Sequence, residues 1–244
     1  MHAAEFTSTV PTVTARGPRA FADPRLGHHE RMRLDHLSYA AGPEGLGACV
    51  QRLGARLGAA FGDGGLHPSF GTRNFVLPLK NGCYLEVVDV LDHPAADRAP
   101  FGQAVRARRD AGGGWLGWAI RVDDITAIES RLGRRAAQGH RRRPDGFDLR
   151  WKQIGIKDLA VDPQRPFFVQ WQTDDEHHPS GGDSHVTLTT LEFAGDEFTV
   201  DEYLGVSSSQ PLDGIEVIWE SPSEDETGVV AAVFETPSGT VRLD

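Results

Sequence analysis

From Arg33 onward the chain switches repeatedly between two hydrophobic periods. Arg33 to Ala40, RLDHLSYA, alternates at period two, the mark of a strand. Leu34, His36 and Ser38 fall on one face; Asp35, Leu37 and Tyr39 fall on the other. Pro43 to Leu57 changes to helical spacing, with Leu46, Cys49, Val50, Leu53 and Leu57 three or four apart and Gly58 as the stop. A Gly-rich loop at 62–65 follows. His67 to Val88, HPSFGTRNFVLPLKNGCYLEVV, then reads as a loop, a strand, an Asn81-Gly82 turn and a second strand. Pairing Leu79 with Tyr84 sets Leu77 against Glu86 and Phe75 against Val88, so Arg73, Phe75, Leu77, Tyr84 and Glu86 share a face. Pro78 cannot donate to the ladder, so a longer turn or a bulge is expected, and an odd-residue bulge reverses the face of Arg73.

After a connector at 93–114, which contains a short helix at Pro100 to Arg109, the order of elements repeats. Trp115 to Val122 is a strand, Ile125 to Leu132 a helix capped by Asp123 or Asp124, and Leu149 to Ile156 and Pro166 to Gln172 are strands. Aligning Leu34 with Leu116 sets His36 against Trp118. Aligning YLEVV with FVQWQ sets Glu86 against Gln170. This predicts a repeated strand-helix-strand-strand-strand unit over 32–92 and 115–173. Beyond a polar linker from Thr173 to Asp183, residues 184–244 carry a third segment in the same order: strands at His185 to Phe193, Ile215 to Trp219, Val229 to Glu235 and Thr240 to Leu243, with a short helix at Asp196 to Leu204. It lacks counterparts of both His36 and Glu86, so a structural role is expected for it.

Residues 1–31 show no period and read as a disordered tail. The only two methionines are Met1 and Met32, and the folded pattern starts just after the second, which makes Met32 a candidate translation start. Composition adds exclusions. A net charge of −10 argues against general nucleic-acid binding. No apolar run reaches the roughly 20 residues of a membrane helix, and no secretory signal is evident, so a cytoplasmic protein is expected. Two cysteines are too few for a disulfide scaffold or a cysteine zinc site. The run His140-Arg141-Arg142-Arg143 reads first as a solvated turn before Pro144, and second as an anion contact.

Glu86 stands out chemically, because a carboxylate inside an apolar strand is either expensive or useful. An ion pair with Arg73 would explain it without any ligand. His36 has a similarly plain reading as a buried histidine bonded to a polar neighbour. His67 reads as a loop residue capping a turn. Arg73 and Asn74 would hold that loop, or Arg73 would grip a substrate carboxylate. Trp118, Trp151 and Trp171 occupy strand positions suited to core or cup wall. His177-His178 lies in the linker and is expected to be exposed.

The run DHLSYA, then HPSFGTRN, then CYLEVV, then GWLGWAIRVDD resembles the glyoxalase-like branch of the vicinal-oxygen-chelate superfamily, from about Arg33 to about Trp171. The resemblance implies an α+β fold of tandem βαβββ modules with curled, cup-shaped mixed sheets, here with a third βαβββ-like unit at the C-terminus. It implies a divalent metal (Fe, Mn, Ni or Zn) in the cup, with His36 and Glu86 as ligands and Gln170 as a weaker third. The implied activity is that of a metal-dependent lyase, isomerase or ring-cleaving oxygenase on a small oxygen-rich substrate. Glu86 and His67 would be its catalytic groups, with Arg73, Asn74, Trp118 and Trp151 as substrate contacts. Trp118 and Gln170 depart from the family's second His and Glu. The alternative is a non-catalytic binder that sequesters a small molecule in the same cup. Either way the partner is a small molecule, with no nucleic acid or membrane, and the protein is a monomer or homodimer.

Overall fold

The computed structural model describes residues 31–222 and 227–244. The tail expected over 1–31 therefore lies, but for Arg31, outside the described residues. The first module comprises β1 (Arg33–Ala40), α1 (Leu46–Leu57), β2 (Gly62–His67), β3 (Thr72–Pro78) and β4 (Tyr84–Val90). Two short helices, α2 (Pro94–Arg98) and α3 (Pro100–Asp110), lead to the second: β5 (Gly114–Arg121), α4 (Thr126–Leu132), β6 (Ala137–Arg142), β7 (Asp148–Ile154) and β8 (Phe167–Trp171). The eight strands close into one barrel in the order β1-β4-β3-β2-β6-β7-β8-β5. Within each module the first strand runs parallel to the last, β1 beside β4 and β5 beside β8, and the modules join through antiparallel β1–β5 and β2–β6 contacts.

Two barrel strands are not the loops that the sequence suggests. The Gly-rich 62–65 stretch opens β2, and the basic run His140 to Arg142 completes β6. Neither has an apolar alternation, because each turns small or polar side chains inward. Closure of the barrel supplies their pairing instead.

The hairpin register also differs by one residue. Leu79 N–H donates to Cys83 C=O, so the turn holds three residues, with Gly82 in the left-handed region at φ 79°. Val76 then opposes Glu86 and Asn74 opposes Val88. Asn74 therefore turns inward, and Arg73 turns outward to an ion pair with Asp63.

The C-terminal unit has β9 (Thr187–Ala194), α5 (Glu197–Leu204), β10 (Glu216–Glu220), β11 (Gly228–Thr236) and β12 (Gly239–Leu243). Its element order is βαβββ, but its sheet order is β10-β9-β11-β12: the first strand pairs with the second and third rather than with the last. This sheet covers the outer face of the barrel. Trp118 is wholly buried there, its ring 5.2 Å from that of Phe193, and its indole N–H donates to Gln164 C=O at 2.9 Å. The expected substrate contact at Trp118 is thus a core residue on the opposite face of β5 from the cup. Trp118→Ala is expected to destabilise the protein by about 3–5 kcal/mol in urea unfolding, as for large-to-small core changes generally. A loss under about 1 kcal/mol would mean that the third sheet does not depend on this contact.

Candidate functional site

The cup inside the barrel is tight, with a cavity volume of about 30 Å³. The first module supplies His36, His67, Tyr84 and Glu86 to its wall. The second supplies Arg141, Trp151, Gln153, Phe167, Val169 and Trp171. One end is filled by α3, whose Phe101, Ala104 and Val105 join Ala40, Val88, Val90 and Leu116 in one apolar cluster.

Strand β1 creates the central feature by breaking its own alternation. Leu34 pairs with Ile120 and His36 with Ala119, one step apart on β5, so Asp35 is the extra residue of a β-bulge. Regular pleating would send Asp35 to the face opposite His36. In the bulge its carboxylate reaches the His36 ring, with Nδ1 of His36 2.6 Å from Oδ1. The other oxygen, Oδ2, accepts the Trp171 indole N–H at 2.8 Å and lies 3.0 Å from Nε2 of His178. Asp35 is only 1% exposed. Burial pushes its carboxyl up, but the hydrogen bonds and charges of His178 and His36 outweigh it and hold it well below the usual carboxylate range. His178, expected to be exposed in the linker, is buried as part of this network.

With Nδ1 committed to Asp35, Nε2 of His36 faces Glu86, 3.8 Å from Oε2. The ring stacks on Tyr84 with centroids 4.6 Å apart and meets Phe167 edge-on. Among the described residues Glu86 forms no ion pair with a guanidinium, and Arg73 pairs with Asp63 instead. Its Oε2 accepts the Ser38 hydroxyl at 2.8 Å and its Oε1 accepts the Asn74 amide at 2.6 Å. Burial raises its carboxyl, yet His36 and these donors together hold it below its ordinary range.

His67 sits at the end of β2, buried, with Nδ1 2.9 Å from the Thr72 hydroxyl. Burial pushes its pKa down to about 3 against the opposing pull of Glu86, so the ring is neutral near pH 7. When Thr72 donates to Nδ1, the remaining hydrogen stands on Nε2, a neutral donor on the cup wall. Trp151 also lines the cup, its indole donating to Gln153 Oε1 at 2.6 Å.

The second module does not complete a metal site. Laying the parallel ladders over each other (His36 beside Tyr84, Ala119 beside Phe167) puts Ala119 at the place of His36 and Val169 at that of Glu86. The sequence alignment with Trp118 and Gln170 is one residue out, and one residue in a strand reverses the face. Gln170 accordingly points away from the cup: its amide donates to Asp123 C=O at 2.8 Å and its oxygen accepts the Ile125 N–H. Among the described residues no group of three His, Cys, Asp or Glu side chains stands close enough to hold a metal ion. Only His36 Nε2 and Glu86 Oε2 face each other as donors, and both Glu86 oxygens already accept hydrogen bonds. Transition ions are usually held by three or more protein donors, so this set does not fit a resident metal.

A family model described as a glyoxalase-like domain matches residues 34–203, and the chain belongs to that family, within the vicinal-oxygen-chelate superfamily. Its fold is similar to the crystal structure of a hypothetical protein from Staphylococcus aureus: TM-score 0.53, 15% identity, covering 87% of this chain and 86% of that one. A variant of the Streptomyces coelicolor methylmalonyl-CoA epimerase in complex with 2-nitronate-propionyl-CoA overlaps more loosely, at TM-score 0.42 and 20% identity, over 58% of this chain and 98% of that one. A sequence search of curated proteins finds no match. Among the described residues no helix is long and apolar enough to cross a membrane.

His67 gives the site a pH signature. A histidine with a folded pKa near 3 binds its proton less readily than the unfolded chain, where the value is about 6.5. Its contribution is fully present above about pH 6.5 and is lost as pH falls toward 3. Between pH 6.5 and 4.5, above the carboxylate range, the slope approaches about 1.4 kcal/mol per pH unit from this residue. Denaturant unfolding of His67→Asn across that window is expected to show a slope smaller by about that amount. An unchanged slope would mean that His67 is solvated or charged in the folded protein.

Proposed function

We propose that the cup is the active site of a lyase or isomerase that moves a proton at a carbon next to the carbonyl of a small oxygen-bearing substrate. The observation that carries this reading is the buried Asp35–His36–Glu86 row. Among the described residues it leaves one imidazole nitrogen, His36 Nε2, without a hydrogen bond, on the wall of an aromatic cavity.

In this mechanism His36 Nε2 takes the proton. Asp35 fixes the tautomer and, with Glu86, stabilises the imidazolium that forms. The C–H electron pair moves into the adjacent C–C bond as the carbonyl pair moves onto oxygen. The enolate oxygen then accepts a hydrogen bond from His67 Nε2–H, whose burial keeps it a neutral donor rather than a competing acid. Return of the proton from His36 to the former carbonyl carbon of an α-hydroxy substrate, with the hydroxyl proton passing from one oxygen to the other, completes an isomerisation. Departure of a substituent from the next carbon completes an elimination. Tyr84, Phe167, Trp151 and Trp171 wall the cavity and keep water from the anion.

Hydrogen–deuterium exchange tests the reading without knowledge of the natural substrate. Dihydroxyacetone, hydroxypyruvate and phenylpyruvate are incubated with the protein in D2O and followed by proton NMR. Exchange of the enolisable C–H above the buffer rate is expected with at least one, and His36→Gln is expected to slow it by about 10²–10⁴. No catalysed exchange in any of the three, or exchange indifferent to His36→Gln in a folded variant, contradicts it.

A further inference from the structure

We infer that Arg141 is a carboxylate anchor: the ligand of this cup carries an anionic planar oxygen group, placed between the Arg141 guanidinium and the His36–Glu86 pair. The inference shares the cavity of the proton-transfer reading and extends it to the chemical class of the substrate.

Arg141 lies on β6, where Gly139 and Arg141 alternate inward and His140 and Arg142 outward. Its outward neighbours have acidic company, with Asp148 within 3.4 Å of Arg142 and 4.0 Å of His140. Arg141 has none. It is only 4% exposed, it lines the cup, and among the described residues its guanidinium makes no hydrogen bond or ion pair. Its Nε is buried without a partner, and so is Asn74 Oδ1. The two groups are neighbours: a Cβ added to Gly64 would collide with Asn74 Oδ1 and stand 3.1 Å from Arg141 Nη1. Glycine at 64 is what admits both side chains to that corner.

A buried guanidinium cannot shed its charge to escape the low dielectric. Burial lowers its pKa, but the ordinary value is so high that the group stays protonated. The fold therefore holds an unpaired cation at a standing energetic cost. Glu86 lines the same wall and feels the charge, but its oxygens bond to Ser38 and Asn74 and no ion pair with Arg141 forms. A guanidinium presents its donors as a planar fork that matches two oxygens of one carboxylate. A ligand carboxylate in that fork would neutralise the cation and satisfy its donors. Its remaining atoms would lie among Trp151, Phe167 and Trp171, within reach of His36. The same charge would stabilise an enolate forming beside it.

The test uses acetate, benzoate and mandelate, each beside its own carboxamide, titrated calorimetrically against the full chain. At least one acid is expected to bind about tenfold or more tightly than its neutral amide. The preference is expected to vanish in Arg141→Gln and to survive in His36→Gln. Loss of exchange activity with retained carboxylate preference would thus fault only the proton-transfer reading. Equal binding of acid and amide in all three pairs, no binding of any acid, or a preference untouched by Arg141→Gln overturns the anchor. A second measurement covers a misfolded glutamine variant. Without added ligand, Arg141→Met, which removes an unpaired buried charge at similar volume, is expected to melt higher by roughly 2–4 °C. A melting temperature lowered by the same amount would show the guanidinium to be a structural element instead.

Discussion

The site depends on one buried carboxylate. Asp35 is placed among three side chains, from β1, from the end of β8 and from the linker after it, and each turns a nitrogen toward it. Removing an ion from water is costly unless its lone pairs are met, and here three nitrogens meet them. The network also fixes what His36 can do. Its Nδ1 is committed, so Nε2 alone faces the cup. The bulge that makes this possible belongs to the seam between the modules, where β1 meets β5. Barrel closure and the chemistry of the site are therefore set by the same irregularity.

The two modules contribute differently. The first brings the ionisable groups, His36, His67 and Glu86, each tied down by a neighbour: Asp35, Thr72, and Ser38 with Asn74. At the equivalent places the second has Ala119 and Val169, and it lends aromatic walls and the buried Arg141. A two-fold frame has become a one-sided site, with the ionisable carboxylate and imidazoles on one wall and a hydrophobic, cationic surface on the other. The electrostatic order follows from burial. Desolvation keeps His67 neutral, while hydrogen bonds and nearby imidazoles keep Asp35 and Glu86 ionised.

Much of this frame was legible in the sequence. The alternation of β1, the helical spacing of α1, the strand of Tyr84 to Val88 and the repeat of elements predict a paired βαβββ fold; His36 and Glu86, read as metal ligands, both line the cup. What escaped depends on single-residue register. The three-residue turn around Gly82 exchanged Arg73 for Asn74 as the inward neighbour of Glu86. One-residue slips in opposite directions put Ala119 rather than Trp118, and Val169 rather than Gln170, at the places of His36 and Glu86. Period-two patterns carry no information about such slips when both faces of a strand are buried, as they are throughout β4. Arg141 was visible only inside a run read first as a solvated turn and second as an anion contact, and His178 only inside a linker expected to be exposed. A basic run and a polar linker look solvated until the barrel closes over one and the linker folds against the other.

On the proposed mechanism Asp35 holds His36 with the hydrogen on Nδ1 and leaves Nε2 as an acceptor beside Glu86. Long-range proton–nitrogen NMR of 15N-labelled protein at pH 7.5, with the His36 signals assigned by their loss in His36→Gln, reads this directly. The expected result is a protonated Nδ1 and an Nε2 resonance in the range of an unprotonated, metal-free imidazole nitrogen, which changes on Asp35→Asn. A proton on Nε2, or an Nε2 shift that collapses on treatment with EDTA, would contradict it.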